Sequence, residues 1–510
     1  MYKKVITSLI ILSAFAAKAQ VKPFSLFTDN MVLQRKTEVP IWGTAVDSKT
    51  VTIEFNGQKK IVPVVDGKWI IKLSPMKAST APLDMRIKGD RDEVVLHNVA
   101  IGEVWLAGGQ SNMERQLGPR PPQKPLLNWE AEAAVANYPL IREFSLPRNN
   151  NSTQPITSIN AVWKVCTPQN VINFSAVGYF FAKQIHEKYN VPVGIIHSSW
   201  GGTAIEKWMS KQLLESNPEF ASIVDKYNEA IRTFPERFVA YNANKDSLYI
   251  KWVADSALAI AAKKTLPIKP TAPVDPTRSG DCGGLYKTMI EPLLPYAIKG
   301  VIWYQGEANV SNPPLYAKLL PSMIKDWRSK WNKDFPFLFV QLAPYRGSSP
   351  ELREAQLYTA IQTPKTAMVV TLDCGDSLDI HPANKKPVGE RLALAAGALA
   401  YGEKKLEYSG PIYQSFKEKN NAIEISFKHI GQGLKVQGDS LVGFTISANG
   451  KDFVPATAVI VKNRVVVSAA SVTNPVAVRY AFIKNAIGNL FNIDGLPASP
   501  FRTDTPFVKN

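Results

Sequence analysis

EVWLAGGQSNM, residues 103–113, is the stretch on which the architecture turns. It opens as a continuous apolar run and ends in two glycines. A run without alternation suits a parallel strand covered on both faces. Gly108 and Gly109 allow a tight turn where that strand ends. Ser111 follows, near the start of a helix, where backbone N–H groups favour developing negative charge. In open α/β sheets, sites gather at the carboxyl ends of strands. A serine that only caps a helix is the plainer alternative, and this motif alone does not exclude it.

Similar runs recur downstream: VGIIHSS (193–199), KGVIWY (299–304), FLFVQLA (337–343) and AMVVTL (367–372). Amphipathic helical stretches separate them, at 174–189, at 315–331 with a kink or break expected at Pro321, and at 388–401. Alternating strands and helices imply an α/β fold with a three-layer α/β/α sandwich. Residues 24–100 instead show short alternating stretches such as VTIEF (51–55) and KWIIKL (68–73) with NG and DG turns, the pattern of a β-sandwich. The chain returns to β patterning after about 405. The expected organisation is a leader at 1–19, an N-terminal β-sandwich at 20–100, an α/β/α catalytic region at 101–404 carrying a charged helical insertion at about 210–270, and a β-rich C-terminal region at 405–510.

Two further motifs sit at strand ends, and a third lies in the loop after the last sheet strand. SSWGGT (198–203) brings Gly201 and Gly202, whose lack of side chains lets backbone N–H groups approach a ligand. WYQGE (303–307) brings Gln305, a side-chain donor, and Glu307, able to orient neighbours or bind substrate. DIHP (379–382) brings His381. Of the five histidines, it alone lies in a polar loop after the last sheet strand with acids close by, namely Asp373, Asp376 and Asp379. A serine nucleophile needs a base in hydrogen-bond reach, and the base needs an acceptor to fix its tautomer.

In this order the four motifs resemble those of the SGNH hydrolases, and more closely the sialate O-acetylesterase family. The resemblance extends to DNMVLQR (29–35), FSAVGYFFA (174–182), SSWGGTAIEKW (198–208), IKGVIWYQGEANV (298–310) and IHPANKKPVGERLALAA (380–396). It implies Ser111 as nucleophile and His381 as base. Asp379, nearest to His381 in sequence and in the same loop, is the candidate orienting acid, with Glu307, Asp373 and Asp376 as competitors. The oxyanion would be held by the N–H of Ser111, by Gly202 or its neighbour Gly201, and by Gln305, which stands where other SGNH enzymes have asparagine. Gln110, Asn112, Glu307, Trp200 and Trp208 are candidates for substrate contact or support. For the tryptophans, core packing is an equal alternative. No metal or organic cofactor is implied. The sequence departs from the family pattern at Leu378, where many SGNH enzymes carry the acid, and at Lys287 and Thr288, where asparagine and glycine are usual.

The implied activity is removal of acetyl groups from carbohydrate, a 9-O-acetyl sialic acid first, with acetylated xylan or another polysaccharide as the alternative substrate. A non-catalytic carbohydrate-binding protein is the alternative of another class. The partner is thus an acetylated glycan; the sequence does not specify an oligomeric state.

Composition limits the rest. Lys3 and Lys4, the apolar stretch 5–17 and the Ala17-Lys18-Ala19 site form a cleavable export signal, giving a secreted or periplasmic protein. No later segment is long and apolar enough to span a bilayer. Net charge is +17, but basic residues are dispersed without long runs, which argues against nucleic-acid binding. Cys166, Cys282 and Cys374 cannot build a disulfide framework or a zinc site. Cys282 and Cys374 could bridge, though three unpaired thiols fit slightly better.

Overall fold

A strand of 17 residues, Glu93–Gly109 (β1), organises the protein. The computed structural model describes residues 20–151, 156–278 and 280–505, so the export signal read at 1–19 lies outside the described residues. The first half of β1 pairs antiparallel with the strand Ser79–Lys88 and parallel with Val32–Gln34. Its second half lies between two parallel neighbours of the α/β sheet. β1 therefore runs unbroken through position 101, where the sequence pattern changes.

The sheet continues with Tyr138–Ser145 (β2), Lys164–Cys166 (β3), Val193–Ser199 (β4), Gly300–Tyr304 (β5), Phe337–Val340 (β6) and Thr366–Val369 (β7). Their order is β3-β2-β4-β1-β5-β6-β7, all parallel except the edge strand β3. Alternate side chains of β1 enter opposite cores, as the pleat requires. Trp105 and Ala107 pack with Val177, Phe181, Leu392 and Ala395. Val104 and Leu106 join the core that holds Tyr316, Leu320, Trp327 and Leu352. Helices Ala176–Tyr189 (α1) and Lys386–Ala400 (α5) thus cover one face, and Pro313–Lys330 (α3) and Pro350–Gln362 (α4) the other. This is the three-layer SGNH-type sandwich with strand-rich flanks.

One helical expectation changes. α3 continues through Pro321 without a break. Proline's fixed φ is itself helical, and Tyr316, Leu319, Leu320, Met323, Ile324 and Trp327 anchor α3 in the core on both sides. The charged insertion at about 210–270 is helical, with the short helix Lys211–Ser216 followed by one of 41 residues, Ala221–Ala261 (α2), none of the latter buried.

From β1 the chain goes to one side of the sheet, and after β4 it crosses to the other. The carboxyl end of β1 is thus the topological switch point. Its diglycine is required there. Gly109 has φ +136°, and a Cβ on it would fall 2.2 Å from the Tyr304 carbonyl oxygen of β5. Gly109→Ala is expected to destabilise the fold by about 3 kcal/mol, read as a lowered Tm. The middle of β1 is held by DNMVLQR. Gln34 accepts the Val104 N–H at 2.8 Å and donates to Glu103 at 2.8 Å, and Arg35 pairs with Glu103.

Candidate active site

At the switch point Gln110 caps a one-turn helix, Ser111–Glu114. Ser111 is half-buried there, and its Oγ lies 2.9 Å from His381 Nε2. The two residues are 270 positions apart, joined by the turn after β1 and the loop after β7.

Of the four competing acids, three are engaged elsewhere. Asp373 forms a bidentate pair with Arg391 at 2.7 and 2.6 Å. Asp376 accepts from Lys124 at 2.7 Å and from the Leu378 and Asp379 N–H groups. Glu307 accepts from Asn112 Nδ2 at 2.5 Å. Asp379 remains. Its Oδ1 accepts the backbone N–H of His381 at 2.8 Å and lies 3.7 Å from His381 Nδ1. Gln123 Nε2, which the sequence reading did not single out, is 3.5 Å from the same Nδ1.

The expected oxyanion donors divide. Gly201 N–H is spent on Glu114 Oε2 at 3.2 Å. Gly202, at φ +74°, gives its N–H to no acceptor among the described residues. The Ser111 N–H, first in its helical turn, is free in the same sense. Gln305 is fully buried, and its Nε2 donates to the Thr203 carbonyl at 3.2 Å and to Asn309 Oδ1 at 2.7 Å. Both amide hydrogens thus hold the 203 loop and the turn after β5, leaving none for a substrate oxygen. No local sequence pattern signals that Asn309 and Thr203 compete for them.

The family model described as carbohydrate esterase, sialic acid-specific acetylesterase matches residues 101–241 and 278–397. Mouse sialate O-acetylesterase is 30% identical over 472 residues, covering 83% of this chain and 82% of that protein. The chain belongs to the sialic acid-specific acetylesterase family of carbohydrate esterases. Human sialate O-acetylesterase is 28% identical over 432 residues, covering 76% and 72% of the two chains. A carbohydrate acetylesterase from Xanthomonas citri has a similar solved structure, with TM-score 0.77, 35% identity, and coverage of 95% of this chain and 99% of that one. The protein is therefore a carboxylic-ester hydrolase acting on carbohydrate acetyl esters, which sets aside the non-catalytic reading.

Around this acetylesterase's Ser–His pair lies a buried polar chain. Asn112 Nδ2 donates to Glu307 and to the Ile380 carbonyl at 3.0 Å, and its Oδ1 accepts from Lys385 Nζ at 2.5 Å. One amide thus ties the nucleophile turn to the His381 loop. Lys385 lies in the 380–396 stretch, where nothing in the local sequence marks it as part of the site. Here it is only 2% exposed, with Nζ 5.3 Å from the Tyr304 ring centroid. Burial pulls its ammonium down to about 7, while burial pushes the Glu307 carboxyl up. Gln110 Oε1 accepts the N–H groups of Gly306 and Ala308 at 3.4 and 3.3 Å, fixing the turn that carries Glu307.

His381 is held below its ordinary value, first by burial and then by the Lys385 charge. The base must be neutral to act, so the acid limb of kcat/KM is expected below the usual histidine value of about 6.5. In that range Lys385 is charged. Lys385→Met should therefore move the acid limb upward in pH, and a pH–rate profile with p-nitrophenyl acetate checks the sign.

The tryptophans separate. Trp208 is fully buried, donates to Thr203 Oγ1 at 2.9 Å and stands edge-on to Trp303 at 5.8 Å, so it packs the core and cannot stack on a sugar. Trp200 is half-buried at the rim under Arg148, whose guanidinium carbon is 5.8 Å from the ring centroid. His197 contacts Ser199 Oγ at 2.6 Å and lies 3.4 Å from Glu143, a buried network beneath the 200–203 loop. All three cysteines are free and buried, with no Cys282–Cys374 bridge. Among the described residues no acid, histidine or cysteine cluster could hold a metal, and no helix is long and apolar enough to cross a membrane.

Proposed function

We propose that this chain is an exported serine esterase that removes O-acetyl groups from sialic acid, the 9-O-acetyl ester first. The observation that carries the chemistry is the 2.9 Å contact between Ser111 Oγ and His381 Nε2 at the switch point. His381 Nε2 takes the Oγ proton as Oγ attacks the acetyl carbonyl. The N–H groups of Ser111 and Gly202 hold the oxyanion. Asp379 steadies the imidazolium through Nδ1. The sugar oxygen leaves with the proton from His381, and water, activated by the same histidine, releases acetate and restores Ser111. Mouse and human relatives named as sialate O-acetylesterases support the sugar, and the reading of residues 1–19 as a cleaved signal supports export to the periplasm or medium.

Mass spectrometry of an acetylated glycan panel before and after enzyme tests this reading. Loss of 42 Da from O-acetylated sialosides is about what release of each acetyl group gives. Turnover of acetylated xylo-oligosaccharides with sialosides untouched would replace the sugar and keep the mechanism.

A further inference from the structure

Glu114 ends the helical turn that begins at Ser111, and its carboxylate gathers two arginines. Arg148 Nε donates to Oε1 at 2.6 Å, and a terminal nitrogen of Arg148 reaches the same oxygen. Arg120 donates to Oε2 at 3.3 Å. A Cβ placed on Gly201 would lie 3.1 Å from Glu114 Oε2 and 3.1 Å from Ser111 Cβ. Carboxylate and nucleophile therefore face each other across a single side-chain-free residue.

Two guanidinium groups around one carboxylate leave a net positive charge. That charge sits at the rim, since the side chains of Arg120 and Arg148 are 31% and 45% exposed while Glu114 is 12% exposed. A guanidinium has five N–H donors, and Glu114 does not use them all. One terminal nitrogen of Arg148, and Nε and one terminal nitrogen of Arg120, have no acceptor among the described residues. Arg148 is also held in place. Its guanidinium lies over Trp200, and the buried Thr288 hydroxyl donates to the carbonyl of the adjacent Asn149. Arg120 meets the other oxygen of the same carboxylate, so both guanidinium groups are gathered on the turn that carries Ser111.

We propose that Arg120 and Arg148, gathered on Glu114 beside Ser111, form the subsite that receives the carboxylate of an acidic sugar while its acetyl ester lies at Ser111. This rests on the esterase reading above and adds the residues that select an acidic substrate. Planar guanidinium donors match a carboxylate in charge and geometry. A neutral sugar would leave them desolvated and unpaired, which turns affinity into discrimination. The carboxylate could belong to a sialic acid or to a uronic acid.

The test compares a 9-O-acetylated sialoside with its carboxamide, and an O-acetylated galacturonide with its carboxamide, on the wild type, Arg120→Met, Arg148→Met and the double variant. The wild type should prefer the acid over the amide by about 10- to 100-fold, expressed in KM, as charge-assisted hydrogen bonds suggest. The sugar that shows this preference identifies the source of the carboxylate. In each single variant the preference should shrink, and in the double variant it should approach one. Equal turnover of acid and amide by the wild type would overturn the subsite. So would a preference that survives in the double variant, or a loss falling on kcat for acid and amide alike. p-Nitrophenyl acetate reports separately on the Ser111 chemistry. If the wild type fails on that ester too, the esterase reading falls and takes the subsite with it.

Discussion

Ser111→Ala is expected to lower acetyl-ester hydrolysis by about 10⁴-fold or more in kcat, with Tm unchanged. The size follows from what the hydroxyl does. Without Oγ no acyl-enzyme forms, and His381 Nε2 loses the group 2.9 Å away from which it takes a proton. Only substrate binding and the backbone donors remain, and water must attack directly. The fold should be indifferent, because Ser111 is half-buried and the neighbouring Asn112 makes the bonds that tie the turn to the rest of the site. His381→Ala should lose about as much, and the double variant little more, since the two residues act as one unit. Steady-state kinetics with p-nitrophenyl acetate suffices. A Ser111→Ala enzyme retaining more than about a tenth of the wild-type rate would remove Ser111 as nucleophile, since triad losses are far larger.

Asp379→Asn should lose on the order of 10⁴-fold in kcat at neutral pH, as a tautomer error does in such triads. For Nε2 to accept the serine proton, the neutral imidazole must carry its hydrogen on Nδ1. Asp379 Oδ1 lies 3.7 Å from Nδ1, the nearest carboxylate to it, and such catalytic contacts tighten only when substrate binds. An amide in this place can present its NH₂ to Nδ1 and favour the wrong tautomer. Glu307→Gln should lose less. Glu307 Oε1 is bound to Asn112, and no hydrogen-bond partner reaches its buried Oε2 among the described residues, so it acts on the nucleophile turn and not on the imidazole. Kinetic comparison of the two variants decides between them, and the reverse ranking would hand the orienting role to Glu307.

The parts legible in the sequence are those with local causes. Apolar runs announced the parallel strands, because burial on both faces removes the need for alternation. The diglycine at 108–109 announced the turn, because β5 passes too close behind Gly109 for any side chain. Ser111 and His381 could be paired because Ser111 follows a strand end and His381 alone among the histidines lies in a polar loop with acids close by. The illegible parts depend on which partner wins a donor. Gln305 has the right chemistry for an oxyanion, yet Thr203 and Asn309 take its hydrogens. Nothing local marks Lys385 as a buried cation; Asn112 and the Tyr304 ring hold it inside. Glu114 stood two residues beyond the asparagine of GGQSNM without any sign that Arg120 and Arg148, from separate loops, would meet on it.

The continuous strand β1 has a consequence for how such a protein can be inherited. Its early residues are hydrogen-bonded into the N-terminal sheet, with Gln34 opposite Gly102, and its late residues carry the turn to the nucleophile. There is no seam at which one half could be cut out and joined to a foreign partner. A gene fusion or deletion at position 101 would strip Val32–Gln34 from the strand and leave Glu103, two residues on, without Arg35 and Gln34. The leading β region is thus not detachable cargo that recombination could trade freely. Its drift is constrained by the same backbone that aims the serine, and lineages that keep the chemistry should keep both halves in one reading frame.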